Sequence, residues 1–426
     1  MQTRNSLRTC FLRFKTKRKR LVLSKKHTSR ETIRMQPSPE ISYFARVDFR
    51  EDNRLFGILQ QDRMMGMYIL GKIGSGKTNL IKTLVYQDLI HNRGLYLSDV
   101  NGDLIRDVLE LIPEYREKDI IYLNANDPHC EWGYNPLRKV SYQKRALIAS
   151  SLLETFQKTW GSQSWGVRLE YALRNLILAS LDQQHVTLDD ISRLLLDEDY
   201  RERCAQYVIN PHVKRFLLHE LPRYSKADML PVINKVNSFL SIPFLRRVLV
   251  ENKKQLSLRH AMDNQKIVLI NLSKGSLGAD GAYLLGSLLL TSLSSAAFSR
   301  VDTPIEKRVP FHVFLDEFHN YTTGSVVGML SEHRKFGVSY TLAHQYINQL
   351  SPQIRDAVLG NIGTIVCFKL GLIDAKHMEK EFYPIFSAND FIDLEHHHIY
   401  VKLLVRGKVS KGFSAKTIIY EELKPI

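Results

Sequence analysis

The chain has 426 residues, 44% hydrophobic and 24% charged, with 22 Gly and 14 Pro. That length predicts two to three domains, at ~150 residues each, with ample core. The composition excludes disordered, collagen-like and low-complexity classes. The formal net charge is +16, unevenly spread. Residues 1–34 hold 12 basic side chains against one acid, residues 141–261 hold 18 against 12, and the remainder is close to neutral. This asymmetry points to a polyanionic partner, nucleic acid or an anionic membrane surface. Cys10, Cys130, Cys204 and Cys367 are far apart. Their spacing argues against a disulfide scaffold or a Cys-based zinc site and predicts a reducing compartment.

Residues 1–34 lack the apolar run of a secretory signal. They read as a phosphate-gripping arm, as a transit-like leader, or as a stretch outside the native chain, with Met35 as the true start. The last is the preferred reading. Phe11 and Phe14 are too few for a base-stacking platform, so generic charge is the better account of the tail.

From Met67 the pattern turns to buried strands alternating with helices. Met67–Gly71, Gly94–Val100 and Ile120–Asn124 read as strands, and Thr78–Ile90 as a helix. Alternation of this kind predicts an α/β fold with a mainly parallel sheet covered on both faces. Residues 141–261 then lose strand character. Leu169–Leu181 and Leu188–Leu196 are helical in period, and Thr187 with Asp190 forms a capping arrangement. This block is expected to be an inserted all-α domain, with 35–140 and 262–426 building the α/β domain. Strands return at Lys266–Leu272, Phe311–Asp316, Val338–Ala343 and Thr364–Leu370. His398–Val405 and Phe413–Ile419 read as a hairpin. The uncharged stretch Gly281–Ser299 reaches membrane-spanning length. Ser287, Thr291 and Ser294 line one stripe of it, which predicts a buried amphipathic helix instead.

Gly71-Lys72-Ile73-Gly74-Ser75-Gly76-Lys77-Thr78 follows a strand and opens a helix, the context that a phosphate-binding loop requires. Its glycines permit backbone N–H groups to converge on phosphate oxygens, and the helix N-terminus favours an anion. Gly71, Gly74, Ser75, Gly76, Lys77, Thr78 and Asn79 are the candidate nucleotide contacts. Lys77 would reach the β- and γ-phosphates, and the Thr78 hydroxyl would bind Mg²⁺. Phe311–Asp316 is an apolar strand ending in Asp316-Glu317. Asp316 is placed to support Mg²⁺, and Glu317 to activate water. Gln345 follows the next strand and is either a γ-phosphate sensor or an ordinary loop amide. Asp99-Val100-Asn101-Gly102-Asp103 reads equally as a ligand-facing edge or as a turn with a helix cap. His396, His397 and His398 cannot converge on one ion from a strand, since neighbours alternate faces.

Taken together, GKIGSGKT, DVNGDL, Tyr134-Asn135-Pro136-Leu137, Trp165-Gly166-Val167-Arg168, Asn271-Leu272-Ser273-Lys274-Gly275, FLDEF and AHQY resemble, in order, the FtsK/HerA superfamily. The nearest likeness is to the cytoplasmic domain of type IV secretion coupling proteins, the TraG/TraD-like conjugative ATPases, over roughly residues 43–420. The resemblance implies a RecA-like P-loop NTPase core, an inserted all-α domain, and a hexameric ring that pumps DNA with ATP and Mg²⁺. It makes Glu317 the catalytic base and Gln345 a sensor. It implies an arginine donated to the neighbour's ATP, with Arg334 the first candidate, then Arg355 and Arg168. Two other readings are a type IV secretion ATPase acting on protein substrates, and a nucleotide-switched scaffold with slow hydrolysis. Membrane-anchored coupling proteins carry N-terminal spans that are not seen here. A cytoplasmic chain, or one peripheral at the inner face of the membrane on separate membrane or secretion-channel subunits, is therefore expected.

Overall fold

The computed structural model describes residues 38–48, 52–138, 140–161 and 165–424. The basic tail, and every reading attached to it, lies outside these residues. Eleven strands form one sheet. In chain order they are β1 (Ile41–Val47), β2 (Leu55–Leu59), β3 (Met67–Leu70), β4 (Gly94–Asp99), β5 (Ile120–Asn124), β6 (Ile267–Asn271), β7 (Phe311–Asp316), β8 (Val338–His344), β9 (Thr364–Cys367), β10 (His398–Lys402) and β11 (Phe413–Thr417). The spatial order is β2-β1-β11-β10-β9-β3-β8-β7-β4-β6-β5. From β9 to β5 every pairing is parallel. From β9 out to β2 every pairing is antiparallel. With its covering helices this is the α/β, RecA-like P-loop core that the sequence predicts.

The parallel strands are near-continuous apolar runs because both faces are covered. Their side chains alternate between two cores. Met67, Ile69, Ile267, Leu269 and Phe314 enter one cluster, with Leu80, Leu84 and Leu89 of the helix α1 (Lys77–Ile90). Tyr68, Leu70, Val268, Ile270, Val313 and Leu315 enter the other. That second cluster runs without a break into the helical block between β5 and β6. It takes in Leu152, Leu153 and Phe156 of α2 (Tyr142–Trp160), Leu173 and Leu176 of α3 (Val167–Leu181), and Leu194 and Leu195 of α4 (Asp189–Leu196). The Asp190 carboxylate accepts hydrogen bonds from the Thr187 N–H and hydroxyl, closing the start of α4 as its spacing suggests. At the base of the block, Trp132–Gly133 pairs with Lys254–Gln255, tying its entry to its exit.

The long apolar stretch is α5 (Lys274–Ser299), kinked at Gly278. Among the described residues it is the one helix long and apolar enough to cross a membrane, and most of it is packed inside the protein. Its polar stripe is used internally. The Ser287 hydroxyl donates to the Tyr321 carbonyl, and Ser294 Oγ meets His333 Nε2.

Two differences from the sequence reading stand out. β1 and β2 are not evident in the sequence, because β1 earns its place by pairing with β11, some 370 residues away. β9 stops at Cys367, three residues early, where the chain departs to bond the Phe391 carbonyl through the Leu370 N–H. The expected terminal hairpin forms between β10 and β11. A smaller turn lies inside it at Arg406–Gly407, both at positive φ.

Candidate functional site

The site lies along the C-terminal edge of the parallel strands, where β3, β8 and β7 end side by side. The loop 71–76 leaves β3 and enters α1 through Gly76, at φ 120°. Gly74 is also at positive φ, 76°. Only glycine holds such angles without strain. A Cβ on Gly71 would lie 2.6 Å from the Phe368 Cβ and 2.8 Å from Ser75 Oγ, so that position is closed to a side chain as well.

Lys77, the first residue of α1, is buried. Its ammonium donates to the carbonyls of Gly71 (2.6 Å) and Lys72 (3.2 Å). Burial pulls the Lys77 pKa down, and the carboxylates of Glu317 and Asp316 oppose that shift. Thr78 is exposed at the mouth of the loop. The Asn79 amide donates to the Ile418 carbonyl, joining α1 to the end of β11.

Asp316 ends β7 and Asp99 ends the neighbouring β4. Burial, followed by the charges of Asp99 and Glu317, pushes the Asp316 carboxyl up to about 7, against the pull of Lys77. Asp99 resolves in favour of the cap. Its oxygens accept from the N–H groups of Asn101 (2.8 Å) and Leu104 (3.0 Å), opening a short helix Asp103–Leu109. It also contributes negative charge to the site. Glu317 sits in the left-handed region at φ 49°, a strained angle for a non-glycine residue. Tyr321 braces this turn from below: its hydroxyl donates to the Asp316 carbonyl (3.1 Å) and meets Ser98 Oγ (2.6 Å).

Gln345 lies between the two halves of the site, since β8 separates β3 from β7. Its side-chain amide donates to Glu317 Oε1 at 2.9 Å. The structure thus brings together Lys77, Asp316, Glu317 and Gln345. It does not bring in Arg334, which sits before β8 at the opposite end of that strand, against Met65. Arg355 lies in the helix Pro352–Asn361, beyond Gln345, paired with Asp356. Arg168 is exposed in the helical block, paired with Asp228.

His396 and His397 are not strand residues. His396 Nδ1 meets the Gly74 carbonyl, and the His397 N–H donates to the Ser75 carbonyl, so this loop ties down the phosphate-loop backbone. His398 opens β10 and faces Asp48. Sequence reasoning missed this contact, along with His319 and Gln349 beside Glu317. No spacing signal marks any of them, because each reaches the site through tertiary pairing.

A nucleotide with a divalent cation fits these residues. Ser75 Oγ and Glu317 Oε2 are buried without a hydrogen-bond partner. The loop turns on positive-φ glycines, and burial with the charges of Asp99 and Glu317 raises the Asp316 carboxyl, a burden that a cation would relieve.

Comparison with known proteins agrees with this architecture. The family model described as "Type IV secretion-system coupling protein DNA-binding domain" matches residues 57–379. The type 4 coupling protein DotL of Legionella pneumophila is 20% identical over 367 residues, covering 71% of this chain and 47% of that protein. The chain therefore spans about half the length of this curated relative. Among solved structures, the plasmid coupling protein TrwB in complex with ADP and Mg²⁺ superposes with a TM-score of 0.62 at 15% identity, over 88% of this chain and 89% of TrwB. VirB4 of Thermoanaerobacter pseudethanolicus superposes at 0.58 and 15% identity, over 91% and 99%. At such identities the structural likeness speaks for the fold alone.

Proposed function

Because the chain belongs to the type IV secretion-system coupling protein DNA-binding domain family, we propose that it is an ATP-hydrolysing motor that moves DNA, working as a hexameric ring at a secretion apparatus. The observation that carries this reading is the Glu317–Gln345 hydrogen bond, set across β8 from Lys77. Glu317 is buried and oriented, which a scaffold that merely binds nucleotide does not need. Support for the ligand also comes from TrwB, which was solved with ADP and Mg²⁺ and with a non-hydrolysable ATP analogue.

In this mechanism the loop N–H groups and the α1 N-terminus hold the phosphates. Lys77 releases the Gly71 and Lys72 carbonyls and turns to the β- and γ-phosphates. Thr78 and Asp316 would hold the cation, which would supply charge neutralisation at the phosphates of the bound nucleotide. Glu317 orients the attacking water and accepts its proton. Gln345, bonded to that carboxylate, reports whether the γ-phosphate is present. An arginine from a neighbouring copy completes the charge balance. Arg334, before β8, and Arg355, in the helix Pro352–Asn361, are the candidates, each away from this chain's own Lys77 and Glu317 as an arginine acting on a neighbour must be. Exposed Lys and Arg of the helical block, among them Lys158, Arg203, Lys214, Arg223 and Lys253, suit sequence-independent phosphate contacts. Separate membrane or secretion-channel subunits would anchor the ring, leaving this chain cytoplasmic or peripheral at the inner face of the membrane.

Thermal unfolding with Mg²⁺ and ADP tests the ligand assignment. The wild-type melting temperature should rise with ADP concentration, and the rise should vanish in Lys77→Ala. An equal rise in both proteins would remove this loop as the nucleotide site.

A further inference from the structure

Gln349 closes the short turn Ile347–Gln349 that follows Gln345. Its Oε1 accepts from the backbone N–H groups of Gln345 and Tyr346, both at 3.1 Å. Two amide donors on one atom fix that atom as the carbonyl oxygen, so the other terminus is the NH₂ group and can only donate. That NH₂ lies 3.2 Å from His319 Nε2. His319 Nε2 is therefore a bare lone pair. Burial, with the charge of Lys274, holds the His319 pKa down at about 4, so the ring is neutral near pH 7. A neutral imidazole with a bare Nε2 carries its proton on Nδ1.

His319 Nδ1 lies 3.5 Å from Glu317 Oε2. Both atoms are buried, and neither has a hydrogen-bond partner. The gap is slightly too long for a hydrogen bond, and a contraction of about half an ångström would complete one. Glu317 Oε1 is already held by Gln345. From this geometry we infer that His319 is a positioning residue for Glu317, locked by Gln349 in the Nδ1–H tautomer so that the segment 345–349 grips both carboxylate oxygens.

The inference rests on Glu317 being the water-activating group. It extends that reading by making the segment after β8 a device that aims the carboxylate from two sides. Gln345 bonds Glu317 directly. Gln349 senses the backbone of Gln345 and Tyr346 and passes their position to Glu317 through the imidazole. Movement of this segment on nucleotide binding would then align or release the base.

Two measurements test it. The first is steady-state hydrolysis. His319→Ala should lower kcat about tenfold, the worth of one hydrogen bond to a charged group, with KM for ATP within twofold of wild type. His319→Asn places an amide N–H where Nδ1–H stood and should keep kcat within about threefold. Gln349→Met should fall between the two. A wild-type kcat in His319→Ala would overturn the inference, as would a loss confined to KM or a failure of asparagine to rescue. The second needs no turnover: the ¹⁵N shifts of histidine-labelled protein, with His319 assigned by its loss in His319→Asn. The Nδ1–H signature is expected in wild type and should weaken in Gln349→Met. An Nε2–H signature in wild type would overturn the inference whatever the activity. If the tautomer is as expected but the wild type does not hydrolyse ATP, the motor reading fails and the His319–Gln349 pairing stands.

Discussion

Asp316 shows how the phosphate loop and the strand-end acids were legible from local sequence while their energetics were not. A strand ending in Asp-Glu marks a cation-binding edge wherever it occurs. Only the fold brings Asp99 beside it and buries both, and that pushes the Asp316 carboxyl up to about 7. The unfolded value is ~3.9. The folded state therefore binds the proton more tightly, and nucleotide-free stability falls as pH rises from about 4 to 7. Asp316→Asn removes this burden. Near pH 8 it should raise the melting temperature of the nucleotide-free protein by a few degrees while abolishing hydrolysis. A lower melting temperature would mean that the carboxylate is stabilised in a way this account omits. His319 and Gln349 lie at the other extreme, since nothing about a histidine two residues after a glutamate signals which proton it carries.

At the scale of elements, periodicity recovered the parallel strands and α1, because an apolar run between Gly-rich turns has few other readings. It missed β1 and β2, and it missed the buried charges that fasten them. Asp88, on α1, accepts from Arg63 through two bonds of 2.7 Å and from Arg93 at 3.0 Å. Arg63 in turn donates to the Ser42 hydroxyl on β1. Burial alone would raise the Asp88 pKa, but Arg63, His312 and Arg93 hold it far below the usual carboxylate range. Its depressed folded value means that Asp88 contributes stability above pH ~3.9, lost as pH falls further. Asp88→Ala strands two arginines, one of them fully buried, and should destabilise the protein by about 3–5 kcal/mol in urea titrations. A change below about 1 kcal/mol would show that the cluster is solvated in the native state. Such pairs defy sequence reading because a charged residue on a helix is ordinarily assigned to a wet face, and α1 is covered on nearly every side.

For the whole molecule, the junction between the helical block and the sheet bears on the proposed motor. The helical block and the sheet share one hydrophobic core, the packing through which the proposed motor would pass load to β7 and β8. One direct link is the Glu154 carboxylate of α2, which accepts from the Gly324 N–H at 2.7 Å, seven residues after Glu317. The ordered motifs announced the family because they run in sequence from Gly71 to Tyr346. The cargo was not legible, since phosphate contacts are generic and the polyanion they meet is not written in any one motif.

The most direct test of the motor is the steady-state ATPase rate with double-stranded DNA, with single-stranded DNA and with neither, at low and moderate salt, with Lys77→Ala and Glu317→Gln as controls. The account predicts hydrolysis in the wild type alone, stimulated severalfold by DNA, with the stimulation fading as salt rises because releasing counterions from the phosphates gains less entropy at higher ionic strength. A wild-type rate indifferent to both forms of DNA at every salt concentration would contradict it and point to protein cargo or a nucleotide-switched scaffold.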